Sequence, residues 1–220
     1  MGMSKKKKIA VLASGGLDSD VLIADLSTQG YRVFPIYIQQ GLAWESAERY
    51  WLQNYLAALS MQTIEPLKIL SIPLDDIYQD HWSLKGKNVP GAKTSDEAVY
   101  LPGRNLILLS KTAVYCALHQ ISEIATAPLN HNPFSDATPL FYRSFAKAIR
   151  VALDFSITIR TPYRCLQKIQ VIRRGSSWPL HLSFSCLAPI GRNHCGRCNK
   201  CAERKRAFKN AQIKDQTHYG

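Results

Sequence analysis

Ile9-Ala10-Val11-Leu12-Ala13-Ser14-Gly15-Gly16-Leu17-Asp18-Ser19 is the stretch that decides the fold. Its first five residues form an unbroken apolar run, the pattern of a strand buried on both faces of a parallel sheet. A small turn rich in hydroxyls and glycine follows, and then helix-forming sequence from Asp20 to Gln29. Gly15 and Gly16 carry no Cβ, so the backbone can bend sharply and bring its N–H groups close to an oxyanion. The hydroxyls of Ser14 and Ser19 add donors, and the positive end of the helix points at the same spot. No lysine follows the glycines, which separates this turn from the phosphate loop ending in Gly-Lys-Ser/Thr. The plain alternative is a Gly-Gly turn that only joins a strand to a helix.

Outward from that turn, strands and helices alternate, which predicts an α/β fold: a parallel, doubly wound, Rossmann-type sheet with helices on both faces. Arg32 to Ile38 is the second strand, and Trp44 to Leu59 is a helix with Ala47, Trp51, Tyr55, Ala58 and Leu59 as its apolar positions. Leu67 to Ile72 reads as the third strand. Between Pro73 and Tyr100 the pattern breaks around Gly86, Pro90 and Gly91, as in a lid or active-site loop. Helix returns from Arg104 to Gln120, and strand from Ile121 to Ala127. After the irregular segment Pro128 to Pro139 come a helix from Tyr142 to Asp154, a strand from Ser156 to Arg160 and a short helix from Leu166 to Arg174, which ends at Gly175. The expected organisation is a basic disordered tail over residues 1–8, one α/β domain over 9–175 and a metal-binding C-terminal subdomain over 176–220.

The chain has 220 residues, 46% of them hydrophobic, enough for one α/β core. It has no apolar run of membrane-spanning length, and Ile9 to Ala13 is too short to be the core of a signal peptide, so a cytoplasmic protein with no membrane contact is expected. Charge is segregated. Residues 1–140 carry 12 Lys and Arg against 13 Asp and Glu, whereas residues 141–220 carry 16 against 3. A basic C-terminal third suits phosphate-bearing partners such as ATP, and leaves open a nucleic acid or a merely solvated face.

Cys186, Cys195, Cys198 and Cys201 lie within sixteen residues, spaced Cys-x8-Cys-x2-Cys-x2-Cys. Two-residue gaps let a tight turn aim successive thiolates at one point, with Gly196 at the turn and a loop cysteine completing a tetrahedron. Structural zinc and an iron–sulfur cluster both use such spacings. Clustering at one end argues against a disulfide framework. Cys116 and Cys165 read as packing residues, and His194 as a neighbour of the site and not a ligand.

Three stretches together resemble one family. Leu12 to Asp20 is similar to the Ser-Gly-Gly-x-Asp-Ser loop of the PP-loop ATP pyrophosphatase superfamily. Tyr100-Leu101-Pro102-Gly103-Arg104-Asn105 looks like a Val-Pro-Gly-Arg-Asn segment, and Ser185-Cys186 with His194 to Cys201, Arg204, Ala207 and Phe208 resembles a zinc segment. The combination resembles the 7-cyano-7-deazaguanine synthase family (QueC or ExsB-like) over about residues 9 to 208, with Thr161-Pro162 and Lys168 as a weaker match. The resemblance implies an ATP-dependent ligase that adenylates a carboxylate with release of pyrophosphate, as in converting 7-carboxy-7-deazaguanine and ammonia to the nitrile. It implies ATP, Mg²⁺ and Zn²⁺ as cofactors, and by family habit a homodimer. Ser14, Gly15, Gly16, Leu17, Asp18, Ser19, Gln40 and Arg104 would bind the nucleotide. Asp18, Arg104 and Lys168 would act at the reacting phosphates, and Cys186, Cys195, Cys198 and Cys201 would hold zinc. A helix cap remains the alternative for Asp18, a surface arginine for Arg104 and a solvated lysine for Lys168.

The chain also departs from the family. Where the family has Asp-Tyr-Gly-Gln-x-His, this chain has Ile38-Gln39-Gln40-Gly41-Leu42; Gln40 and Glu45 correspond, and the histidine falls near Leu42. The family's Asp-Cys-Arg substrate segment has no counterpart in residues 127–138, where Asn130, His131 and Asp136 are candidates for a remodelled pocket. A site built on polar contacts discriminates strongly, so the acceptor, a carboxylate or modified base, is left open. The other readings are a tRNA-modifying ATP pyrophosphatase and a non-catalytic nucleotide-binding relative.

Overall fold

The computed structural model describes residues 6–130 and 132–220; expectations for the first five residues and for His131 lie outside them. Five parallel strands form one sheet in the order β3-β2-β1-β4-β5. They are β1 (Lys8–Leu12), β2 (Arg32–Gln39), β3 (Lys68–Ser71), β4 (Glu123–Ala125) and β5 (Thr158–Arg160). The main helices are α1 (Leu17–Thr28), α2 (Glu45–Leu59), α5 (Arg104–Leu118), α6 (Pro139–Leu153), α7 (Lys168–Arg174) and α8 (Asn199–Ala211). Two single turns, α3 (Asp75–Tyr78) and α4 (Trp82–Lys85), lie between β3 and α5.

Strand alternation divides the core. Ile9 and Val11 of β1, with Val33 and Tyr37 of β2, face α1, α7 and α8 through Leu17, Val21, Val171 and Phe208. Ala10, Ile36, Ile38 and Ile124 face the other way, onto Leu109, Ala113, Tyr142 and Phe145 of α5 and α6. Both faces are buried by helices, so the strands are apolar at successive positions rather than at every second one.

Several boundaries differ from the sequence reading. α1 starts at Leu17, not Asp20, because Gly16 takes the extended N-cap conformation. β4 has three residues; Ile121 is buried but serves the turn, its N–H donating to Cys116 O at 2.9 Å. α6 begins at Pro139, where Thr138 caps the Phe141 N–H, three residues before the expected Tyr142. α7 starts at Lys168 with Gln167 as its cap, not at Leu166. Lys8, expected in the tail, pairs with Arg32 as the first residue of β1. Cys165, expected to pack, is exposed. α8 has no counterpart in the sequence reading: eight of its thirteen residues are charged or polar, so its apolar stripe is short.

The segment from Pro73 to Tyr100 is not a free lid. Trp82, Val89 and Val99 pack on a third cluster formed by Leu42, Trp44, Leu101, Phe184 and the four clustered cysteines. Asn199 donates from its backbone to Pro90 O at 2.9 Å and from its side chain to Thr94 O at 2.9 Å.

Candidate active site

The order of the strands reverses between β1 and β4, and in such sheets ligands sit beyond the carboxyl ends at that point. The Ser14–Ser19 turn occupies it. Ser14 Oγ and Ser19 Oγ lie 3.1 Å apart, Gly16 N donates to Ser14 Oγ at 3.2 Å, and Ser19 Oγ donates to Gly16 O at 2.9 Å. The two serines therefore hold the shape of the loop, while the first-turn N–H groups of α1 have no intrahelical acceptor and belong to residues that line the cavity. Gly15 has φ +67°, and a Cβ there would lie 3.0 Å from Glu48 O and 3.2 Å from Glu48 Cγ. The loop is thus clamped onto α2, and from the other side Phe184 N donates to Gly15 O at 2.6 Å.

A cavity of about 220 Å³ opens on this loop, lined among others by Ser14, Gly16, Asp18, Glu48, Arg104 and Lys168. Two neighbouring clefts of about 240 and 250 Å³ share Asp18 and extend to Phe134 and Pro128. The structure therefore brings the sequence-predicted Ser14–Ser19 loop, Asp18, Arg104 and Lys168 to one place.

Arg104 is the first residue of α5, behind Gly103 at φ +73°. A cation at a helix N-terminus works against the helix dipole, so local stability does not explain it. Its Nε donates to Gln40 Oε1 at 3.1 Å, which aims the guanidinium; Gln40 is itself buried, with Nε2 donating to Ile38 O at 3.2 Å. Glu45 accepts from the N–H groups of Gln40 and Gly41, fixing the chain that carries Gln40. Gln40 thus positions the arginine.

Asp18 is not the cap of α1, which is Gly16. Its Oδ2 accepts a short hydrogen bond from Lys168 Nζ, and its Oδ1 is buried without a partner. A buried oxygen with open lone pairs at a phosphate site suits a hard cation. Lys168 also faces Glu203 Oε1 at 3.4 Å. Burial lowers the Lys168 pKa, but Asp18 and Glu203 outweigh it and hold the ammonium firmly protonated. Lys168 is therefore a fixed charge and not a proton acceptor.

The sequence reading missed Glu48. The buried positions of α2 are Glu45, Ala47, Glu48, Leu52 and Tyr55; of the expected apolar positions Ala47 and Tyr55 are buried, Trp51 and Leu59 are half-buried and Ala58 is exposed. Two of these five positions are acidic, so an apolar search passed over them; the helical spacing of 45, 48, 52 and 55 was the available signal. Glu48 accepts from Tyr37 OH at 2.7 Å beneath the phosphate loop. Burial raises its carboxyl to about 7, against the opposing pull of Arg104 and the Tyr37 hydroxyl. An unfolded glutamate ionises near ~4.3. Below that pH both states are protonated and Glu48 takes nothing from stability; from there up to about 7 the unfolded glutamate ionises while the buried one does not, and the loss, complete once the native carboxyl also ionises, amounts to about 3 kcal/mol at pH 8. E48Q is expected to raise the melting temperature by about 5 °C at pH 8 and to leave it nearly unchanged at pH 4.5. Thermal unfolding monitored by circular dichroism reads this, and an equal shift at both pH values counts against it.

In the segment after β4, Asp136 is committed elsewhere: its Oδ2 accepts from Asn105 N at 2.9 Å and its Oδ1 from Asn105 Nδ2 at 3.2 Å, holding the start of α5. It offers no free carboxylate to a pocket. Phe134 stacks on Tyr100 with ring centroids 4.8 Å apart at the cleft edge.

The four predicted cysteines converge. Their Sγ atoms all lie within 4.8 Å of one another and all four residues are buried. Cys195–Cys201 and Cys186–Cys198 sulfurs are each 4.0 Å apart. A tetrahedral zinc with bonds of about 2.3 Å needs sulfurs about 3.8 Å apart, so a single ion fits, whereas an iron–sulfur cluster spreads its thiolates over several irons and needs a wider cage. Backbone N–H groups of Cys195 and Ala188 point at Cys186 Sγ, and those of Leu187 and Cys201 at Cys198 Sγ, as thiolates require. His194 is buried, and its Nε2 accepts from Ser185 N at 3.1 Å; it braces the cluster from outside.

A phosphate-cradling loop at the switch point of a parallel sheet, faced by a guanidinium and an ammonium, defines a PP-loop nucleotide-binding α/β protein. In agreement, the fold superimposes on a solved 4-thiouridine synthetase–RNA complex with bound ATP, at a TM-score of 0.52 and 14% identity, over 94% of this chain and 50% of that one. The chain belongs to the family described as queuosine biosynthesis protein QueC, whose sequence profile matches residues 8–212. It is 31% identical to the 7-cyano-7-deazaguanine synthase of Syntrophobacter fumaroxidans over 100% of this chain and 99% of that protein. It is 29% identical to that of Caldicellulosiruptor bescii over 96% and 97%, and 31% identical to 7-cyano-7-deazaguanine synthase 1 of Desulfitobacterium hafniense over 92% of each. No helix among the described residues is long and apolar enough to cross a membrane.

Proposed function

We propose that this chain converts 7-carboxy-7-deazaguanine to 7-cyano-7-deazaguanine, using ATP and ammonia. The observation that carries the reading is the match to named synthases over essentially their whole length, together with the Ser14–Ser19 loop, Asp18, Arg104 and Lys168 on one cavity.

The atom balance fixes what the site has to do. A carboxylate is a poor electrophile, so one oxygen attacks the α-phosphorus of ATP and pyrophosphate leaves. Ammonia then displaces AMP to give the amide. The amide oxygen takes a second adenylyl group, and loss of AMP leaves the nitrile. Both carboxylate oxygens depart on AMP, and the nitrogen loses its three protons. Pyrophosphate is the leaving group each time, and the loop N–H groups with Arg104 stabilise the charge that develops on it. Lys168, permanently charged, holds the phosphate chain in line for attack. The open oxygen of Asp18 would hold Mg²⁺, which neutralises phosphate charge when bound. Cys186, Cys195, Cys198 and Cys201 would hold Zn²⁺ in a structural role, with four thiolates leaving no open position for substrate.

The test is incubation with ATP, Mg²⁺, ammonia and 7-carboxy-7-deazaguanine, with AMP, pyrophosphate and nitrile quantified. Two AMP per nitrile are expected. AMP formation without nitrile would keep the adenylating chemistry and reject this acceptor; no AMP would reject both.

A further inference from the structure

Four charged side chains of alternating sign run across the wall between two cavities. Lys168 Nζ binds Asp18 Oδ2 on one side and lies 3.4 Å from Glu203 Oε1 on the other; Glu203 Oε2 accepts from Lys200 Nζ at 2.8 Å. Asp18 comes from α1, Lys168 from the first turn of α7, and Glu203 and Lys200 from α8. All four line both the cavity over the phosphate loop and the cleft that reaches Phe134. We infer that Glu203 is the positioning residue for Lys168, and that α8 is thereby a working part of the nucleotide site.

A carboxylate beside a polyphosphate site is unfavourable unless it serves the cations there. Both oxygens of Glu203 face ammonium groups, and its charge is covered by Lys200 as well as by Lys168. What it supplies is a second anchor for a long, flexible lysine. Asp18 cannot remain the sole anchor once a cation on the nucleotide competes for its carboxylate. Glu203 then keeps Lys168 from swinging away, and limits the rotamer entropy lost when the ammonium meets the phosphates.

The geometry of α8 supports this use. Cys198 Sγ caps the helix, accepting from Cys201 N at 3.4 Å. Arg204, beside Glu203, is buried and donates to Leu180 O at 2.7 Å, Ser183 Oγ at 2.8 Å and Thr217 Oγ1 at 2.9 Å. The backbone carrying Glu203 is held from both directions, as a residue that aims another must be.

The inference rests on the assignment of Lys168 to the phosphates, and a double-mutant cycle on nucleotide binding tests it without any acceptor. Affinity for α,β-methylene ATP with Mg²⁺ is measured by calorimetry for the wild type, E203Q, K168M and the double variant, each checked for metal content and melting temperature. E203Q is expected to bind about fivefold more weakly and K168M about tenfold or more. The double variant is expected to match K168M within about twofold, because Glu203 acts only through Lys168. Losses that multiply, or an E203Q affinity equal to wild type, would overturn the inference. If E203Q does not fold, E203D replaces it: the shorter reach should again weaken binding only while Lys168 is present. Failure to form nitrile sinks the proposed acceptor and leaves this cycle readable.

Discussion

Replacement of Arg104 by alanine is expected to slow AMP formation by at least about a hundredfold. The guanidinium lines the same cavity as the Ser14–Ser19 loop and, unlike the Lys168 ammonium, is not neutralised by a carboxylate ion pair among the described residues. It is preorganised: Gln40 takes its Nε at 3.1 Å, Glu45 fixes the backbone of Gln40, and Gly103 at φ +73° starts the helix that presents it. A donor already oriented needs no rearrangement as charge develops on the leaving pyrophosphate, which gives it a large share of transition-state stabilisation. R104K keeps a charge but loses the planar fork that can bind Gln40 and phosphate together, so about tenfold less activity is expected from it. Folding should survive, because the arginine opposes the α5 dipole rather than supporting it. Pyrophosphate release at saturating ATP reads both variants; R104A activity within tenfold of wild type would remove Arg104 from this role.

Metal loss is expected to be the second large effect, and to reach the nucleotide site. The sulfurs stand at the centre of the third apolar cluster, with Trp44, Leu101 and Phe184 around them, and structural zinc commonly supplies on the order of 10 kcal/mol of apparent binding energy to the segment it ties together. Phe184, two residues before Cys186, donates to Gly15 O in the phosphate loop; Cys198 caps α8; α8 carries Glu203 to Lys168. Chelation, or C198S, is therefore expected to lower the melting temperature by more than about 10 °C and to abolish measurable ATP binding. C165S provides the contrast: Cys165 is exposed and lies outside the cluster, so metal content and activity should stay at wild-type levels. Complete metal removal with unchanged melting and ATP binding would show that the segment is an appendage.

The sequence alone carried the parts of this protein that are short in range. Ile9 to Ser19 encodes a buried strand and a turn only glycine tolerates at Gly15, all within eleven residues. The four cysteines are legible for the same reason, since two-residue gaps fix where thiolates can point whatever surrounds them. Arg104 was picked out through the resemblance of the segment Tyr100 to Asn105 to a family segment. Helix starts were missed where a cap residue, such as Gly16 or Thr138, outweighed the hydrophobic pattern.

Tertiary structure alone decided the pairings across long separations. Asp18 meets Lys168 across 150 positions, and Lys168 meets Glu203 on a helix whose sparse apolar stripe concealed it. Glu48 looks like any exposed helix glutamate until the close approach at Gly15 and the Tyr37 hydroxyl bury it. Asp136 was a pocket candidate until folding gave both its oxygens to Asn105. The division has one physical cause. Backbone conformation and ligand spacing are set by neighbours along the chain, whereas a side chain's charge state and partner are set by what the fold brings against it and by how much water that leaves.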